Sequence, residues 1–117
     1  MSSQALLDKA GAVRPGEELD LAVLRDYLQP VLGGDISALQ VQQFPGGFSN
    51  LTYLLSVGSQ KWVLRRPPFG SKVKSAHDMG REFKILSALG DVFPYAPTPL
   101  HFCQDHDVLG CDFYLMS

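Results

Sequence analysis

The stretch Val41-Gln-Gln-Phe-Pro-Gly-Gly-Phe-Ser-Asn50-Leu-Thr-Tyr-Leu-Leu-Ser-Val-Gly-Ser-Gln60-Lys-Trp-Val-Leu-Arg-Arg66 decides the fold. Pro45-Gly46-Gly47 and Gly58-Ser59 divide it into runs rich in β-branched and aromatic residues. Leu51, Tyr53, Leu55 and Val57 alternate with Thr52 and Ser56, the period of a strand with one buried face. Gly58-Ser59 reads as a tight hairpin turn, because glycine takes positive φ without a Cβ clash. The pattern predicts three antiparallel strands, over 38–44, 50–57 and 60–66.

The connection between the first two strands is longer than a hairpin requires. Gly46, Gly47, Phe48, Ser49 and Asn50 supply two backbones without a side chain, then a hydroxyl and an amide. Bare N–H groups of this kind can approach a phosphate closely. The same residues also suit an ordinary glycine-rich connection in a sheet. No Gly-Lys-Ser or Gly-Lys-Thr follows the glycines, which excludes a P-loop.

Towards the N-terminus, residues 1–17 are small and polar, with Arg14-Pro15-Gly16 as a breaker, and read as an arm. A helix is predicted over 20–32. Asp20 is its N-cap, Leu21, Leu24, Leu28 and Val31 or Leu32 are its apolar stripe, and Gly33-Gly34 stops it.

Towards the C-terminus, Arg66-Pro67-Pro68-Phe69-Gly70-Ser71-Lys72-Val73-Lys74 reads as a loop with solvated basic residues. A second helix is predicted over 76–89, closed by Gly90, with Met79, Phe83, Leu86 and Leu89 facing inward. Glu82 falls by angle within that stripe, whereas Arg81 and Lys84 fall on the solvent side. A carboxylate on an apolar face is costly unless paired. Arg65, near the end of the adjacent strand, is the natural partner; the alternative leaves Glu82 at the margin, reaching water through its stem. Further strands are predicted at 100–104 and 109–116, on either side of a turn at Asp105-His106-Asp107.

Composition narrows the class. The 117 residues make at most one domain, and 45% apolar content is enough for a folded core. A net charge of −2 argues against a nucleic-acid partner. No apolar run approaches the roughly 20 residues of a membrane span, and the first residues lack a signal pattern. Cys103 and Cys111 have no metal-binding spacing, nor do His77, His101 and His106. Reduced thiols and a cytoplasmic location are expected, though a Cys103–Cys111 bridge across a hairpin stays open. No serine or cysteine sits on a nucleophile elbow.

Four segments occur in a telling order: Phe-Pro-Gly-Gly-Phe-Ser-Asn-Leu-Thr-Tyr (44–53), Val-Leu-Arg-Arg-Pro-Pro (63–68), Arg-Glu-Phe-Lys-Ile-Leu-Ser-Ala-Leu (81–89) and Gly-Cys-Asp-Phe-Tyr-Leu-Met (110–116). This order resembles the N-terminal lobe of protein-kinase-like phosphotransferases. It is most similar to the aminoglycoside phosphotransferase and choline kinase branch, especially the kinase-like domains joined to acyl-CoA dehydrogenases.

The resemblance implies an α+β fold: a five-stranded antiparallel sheet with a packing helix and an N-terminal helix, over 18–117. It implies that Gly46, Gly47, Phe48, Ser49 and Asn50 lie over the phosphates of ATP. Arg65 takes the place of the strand-three lysine and Glu82 that of the glutamate orienting it. Val63 would line the adenine slot, with Met116 behind it and Ser117 entering the hinge. Arginine keeps the charge but replaces a point cation with a bulkier fork; Leu-Arg-Arg-Pro-Pro is usual in the acyl-CoA dehydrogenase-linked branch, so the site is not read as dead.

No His-Gly-Asp or His-Arg-Asp loop occurs, so the catalytic aspartate and the Mg²⁺ ligands are expected in a second lobe. The implied function is the nucleotide-binding half of an enzyme moving the ATP γ-phosphoryl group to a small-molecule hydroxyl. That molecule would be an aminoglycoside or, fitting the nearer branch better, a hydroxyacyl-CoA-type metabolite. Alone, the chain is expected to be inert and to bind nucleotide weakly. The alternative is a non-catalytic interaction module, with the face that would meet a second lobe driving homodimer formation.

Overall fold

The computed structural model describes residues 10–45, 51–69, 73–92 and 98–117. The Gly58-Ser59 turn, with Gly58 at φ +59°, folds strand β2 (Leu51–Val57) onto β3 (Gln60–Arg66). Their register runs without slip from Val57↔Gln60 to Leu51↔Arg66. Strand β1 (Gln40–Gln43) pairs with the other side of β2. The chain then leaves the sheet for a helix on one face and returns as β4 (Pro99–Cys103) and β5 (Phe113–Met116). The order is β1-β2-β3-β5-β4 and every pair is antiparallel.

Alternation along the strands gives the sheet two faces. On one face Leu51, Tyr53, Leu55, Leu64, Phe113 and Leu115 are all buried. They meet helix α1 (Leu21–Leu32) through Leu24 and Leu28, both fully buried. Each such side chain contributes about 1.5–3 kcal/mol of burial. Asp20 caps α1 by accepting the Val23 N–H at 3.2 Å, and the Gly33 N–H returns to the Gln29 carbonyl at 2.9 Å. The opposite face carries helix α2 (Val73–Val92), seated by fully buried Met79 and by Phe83. The Phe83 ring stacks on Phe102 at 5.5 Å and meets Tyr114 edge-on at 5.8 Å.

The α+β architecture and all five strands agree with the sequence reading, while several boundaries move. The predicted turn at Asp105-His106-Asp107 is the start of a short helix α3 (His106–Leu109). Asp105 caps it by accepting the Asp107 N–H at 3.0 Å, and Gly110 ends it at φ +80°. The predicted strand at 109–116 therefore shortens to Phe113–Met116, because Leu109 belongs to α3. Gly90 does not close α2, which starts earlier than predicted and continues to Val92. Leu39 bonds back to the Ile36 carbonyl at 3.0 Å in a turn, so β1 starts two residues after the predicted 38.

Residues 10–17, within the predicted arm, are tied to the sheet edge. Gly11 and Gln43 exchange two backbone hydrogen bonds of 2.9 Å. The Gln43 side chain accepts from the Arg14 N–H at 2.8 Å and donates to Glu17 at 2.8 Å. The Tyr53 hydroxyl donates to the Glu17 carbonyl at 2.6 Å. Cys103 and Cys111 are free thiols. Among the described residues, no helix is long and apolar enough to cross a membrane.

Candidate functional site

Strand register assembles the site. Thr52 lies opposite Arg65, and Arg65 opposite Tyr114, so three polar side chains form one row across β2, β3 and β5. In the next row Leu54 lies opposite Val63, and Val63 opposite Met116. Directly opposed residues share a face, with Cβ atoms about 4.5–5.5 Å apart. A polar row thus runs beside an apolar row, on the face that α2 partly covers.

Helix α2 lays Glu82 across the polar row. Arg65 Nε donates to Glu82 Oε1 at 3.1 Å and Nη2 to Oε2 at 3.4 Å, a side-on bidentate pair. Arg65 Nη1 donates to Thr52 Oγ1 at 3.1 Å. The Tyr114 hydroxyl donates to Glu82 Oε1 at 2.7 Å. Arg65 and Glu82 are 28% and 29% exposed, so water reaches the pair but does not surround it. Burial, then the hydrogen bond to Glu82, pushes the Tyr114 phenol well above its ordinary range, which keeps it a donor at physiological pH.

Beside this cluster a cavity of about 290 Å³ is lined by Arg65, Glu82, Ile85, Leu86, Tyr114 and Met116. A larger hollow of about 460 Å³ lies against Asp26, Gln29 and Ser37. It holds none of the predicted site residues, and its wall is α1 with Ile36 and Ser37 of the segment that follows. Glu82 is committed to Arg65 and Tyr114, so the first cluster suits holding an anion against a fixed cation better than moving a proton. Among the described residues, no three Asp, Glu, His or Cys side chains converge as a metal site.

Four predicted residues come together: Val63, Arg65, Glu82 and Met116. Ser117 follows directly, but its N–H donates to the Thr98 carbonyl at 2.9 Å and its hydroxyl accepts the Thr98 N–H at 3.1 Å, which ties it to the start of β4. Gly46, Gly47, Phe48, Ser49 and Asn50 lie outside the described residues. Phe44, which leads into that loop, is held by its N–H on the Thr52 carbonyl at 3.0 Å. Thr52 and Tyr114 were given no role in the sequence reading. Counting back from the Gly58-Ser59 turn would have placed Thr52 opposite Arg65; no comparable local signal marked Tyr114.

Comparison with known proteins gives the family and the fold. The model of the phosphotransferase enzyme family matches residues 40–117. Acyl-CoA dehydrogenase family member 11 of Mus musculus is 45% identical over 110 residues, covering 90% of this chain and 14% of that protein. Acyl-CoA dehydrogenase family member 10 of Mus musculus is 38% identical over 95 residues, covering 80% of this chain and 9% of that protein. A crystal structure from Ralstonia eutropha JMP134, of a protein provisionally named an aminoglycoside phosphotransferase, superposes with a TM-score of 0.69 at 27% identity. That match covers 86% of this chain and 28% of the other. The chain thus spans a small part of each of these relatives.

Proposed function

This chain belongs to the phosphotransferase enzyme family, and from that premise we propose that it is the nucleotide-binding lobe of an enzyme moving the ATP γ-phosphoryl group to a small-molecule hydroxyl. The observation that carries this reading is Arg65, held side-on by Glu82 at 3.1 and 3.4 Å, at the border of an apolar row. A fixed cation suits the phosphates, and Leu54, Val63 and Met116 suit the flat faces of a purine. Bare N–H groups at Gly46 and Gly47 and the Ser49 hydroxyl would add donors to the phosphates.

ATP supplies the transferred group when bound. Mg²⁺ ligands and the catalytic aspartate are assigned to a second lobe, which also selects the acceptor, an aminoglycoside or a hydroxyacyl-CoA-type metabolite. Without that lobe the chain binds nucleotide weakly and does not turn over. We place it in the cytoplasm, where the free thiols of Cys103 and Cys111 persist.

Titration of this chain with Mg-ATP, followed by NMR, tests the reading. Arg65→Ala lowers affinity about tenfold or more, the loss expected for a charged contact to phosphate. Val63→Asp abolishes binding by putting a carboxylate in the apolar row. Binding that ignores both substitutions overturns the assignment. One observation favours a second reading, an interaction module: Ile85, Leu89 and Val92 of α2 are 53%, 37% and 82% exposed along one flank.

A further inference from the structure

Arginine at the strand-three position raises a question that the Arg65–Glu82 pair alone does not answer. A guanidinium has five N–H groups in a fixed plane. Glu82 takes two, one from Nε and one from Nη2, and Thr52 takes one from Nη1. One N–H on each terminal nitrogen makes no hydrogen bond of good geometry among the described residues. Thr52 is the direct cross-strand neighbour of Arg65, and we assign it the inner hydrogen of Nη1. The two outer hydrogens then form an end-on fork, which matches two oxygens of a phosphate.

We propose that Thr52 and Tyr114 are positioning residues that make this strand position specific for arginine, by holding the guanidinium so that its end-on fork meets phosphate bidentately. This rests on the nucleotide-binding reading above. Thr52 stops rotation of the guanidinium about its stem. Tyr114, 1% exposed and donating to Oε1, stops rotation of the Glu82 carboxylate. The Phe83 ring, edge-on to Tyr114 at 5.8 Å, keeps the phenol itself in place. A lysine has three N–H bonds on one nitrogen. It cannot bond both Glu82 oxygens side-on, reach Thr52 and still present two parallel donors.

The test compares ADP with adenosine, each titrated into this chain and its variants by NMR, with thermal unfolding as the control for folding. Thr52→Val and Tyr114→Phe each lower ADP affinity about three- to tenfold and leave adenosine affinity unchanged. Thr52→Ser, which keeps the hydroxyl, restores ADP affinity. Arg65→Lys lowers ADP affinity, and adding Thr52→Val to it costs nothing further. The Arg65 Nε–H resonance, resolved in the wild type, broadens in Thr52→Val and Tyr114→Phe without any nucleotide present.

Wild-type ADP affinity in Thr52→Val and Tyr114→Phe overturns the proposal, as does Arg65→Lys binding ADP as tightly as arginine. An equal loss of ADP and adenosine also overturns it, since that is what a purely structural role produces. A wild-type chain that does not distinguish ADP from adenosine removes the nucleotide reading, and this proposal with it. Loss of phosphate affinity in Arg65→Ala but not in Thr52→Val or Tyr114→Phe removes the proposal alone.

Discussion

Replacing Glu82 by alanine strands the donors of two side chains at once. Arg65 loses both carboxylate bonds, and the Tyr114 hydroxyl loses its acceptor within a side chain that is 1% exposed. A buried donor left without a partner costs about 1–3 kcal/mol, and the Tyr114 hydroxyl carries that cost in full. Arg65 is 28% exposed and recovers part of its solvation from water, so its share is set at about 1 kcal/mol, well below the roughly 3–5 kcal/mol for breaking a fully buried pair. The expected loss for Glu82→Ala is about 3 kcal/mol, which for a domain of this size lowers Tm by roughly 10 °C. Urea unfolding measures it through the shift in midpoint at constant slope. The double-mutant cycle with Tyr114→Phe gives the sharper result. Tyr114→Phe alone costs about 1 kcal/mol. In the Glu82→Ala background it costs nothing or restores stability, because it removes the stranded hydroxyl. Additive losses in the double mutant would refute the shared-acceptor geometry.

Three further outcomes follow from other parts of the fold. Gly110→Ala lowers stability by about 1 kcal/mol in thermal unfolding, because Gly110 sits at φ +80° while its Cβ position is open, so the cost is conformational rather than steric. The Gln43 amide, with help from Arg14, holds the Glu17 carboxyl below its ordinary value of 4.5. A depressed carboxyl contributes stability above its unfolded pKa that is lost as pH falls through the folded one. The stability gap between wild type and Gln43→Ala is therefore full at neutral pH and shrinks below about pH 4.5, as read by urea unfolding across pH; a gap that is constant with pH removes the Glu17 contribution. Light scattering after size exclusion finds concentration-dependent dimers, and Ile85→Glu with Leu89→Glu makes the chain monomeric; a wild-type monomer at all concentrations removes the α2 flank as an interface.

Local rules made much of this fold legible, and the limits of those rules explain the rest. The Gly58-Ser59 turn fixes the register of β2 and β3 residue by residue, so the facing pairs can be counted from sequence. Helical periodicity places Glu82 on the inward side of α2 and Arg81 on the exposed side. Tyr114 was beyond reach because β3 and β5 are joined by no turn; α2, β4 and α3 intervene, and tertiary packing alone sets their register. Helix α3 escaped because four residues are too few to show a period, although Asp105 and Gly110 carry the chemistry of a cap and a stop. The docking of residues 10–17 had a signal that went unused. Gln43 pairs with Tyr53 on the buried face, and an amide there requires partners, which Arg14 and Glu17 provide.

The adjacent arginines show what register decides. Arg65 and Arg66 differ by one step along β3, so they point to opposite faces. Arg66 is 3% exposed on the α1 face. It donates to the carbonyls of Pro67 at 2.9 Å and Leu109 at 3.3 Å, and its guanidinium lies 3.6 Å from the Phe69 ring centroid. Those contacts use its charge to fasten the end of β3 to α3. Arg65, on the α2 face, is held by side chains that, among the described residues, use three of its five N–H groups. One cation closes the structure and the other, in the function proposed above, is left for phosphate, though nothing in the dipeptide distinguishes them. A one-residue slip of β3 would exchange their faces, carrying Arg65 to the α1 side and Leu64 to the α2 side. The hairpin turn that prevents the slip is therefore as much a part of the site as the residues lining it.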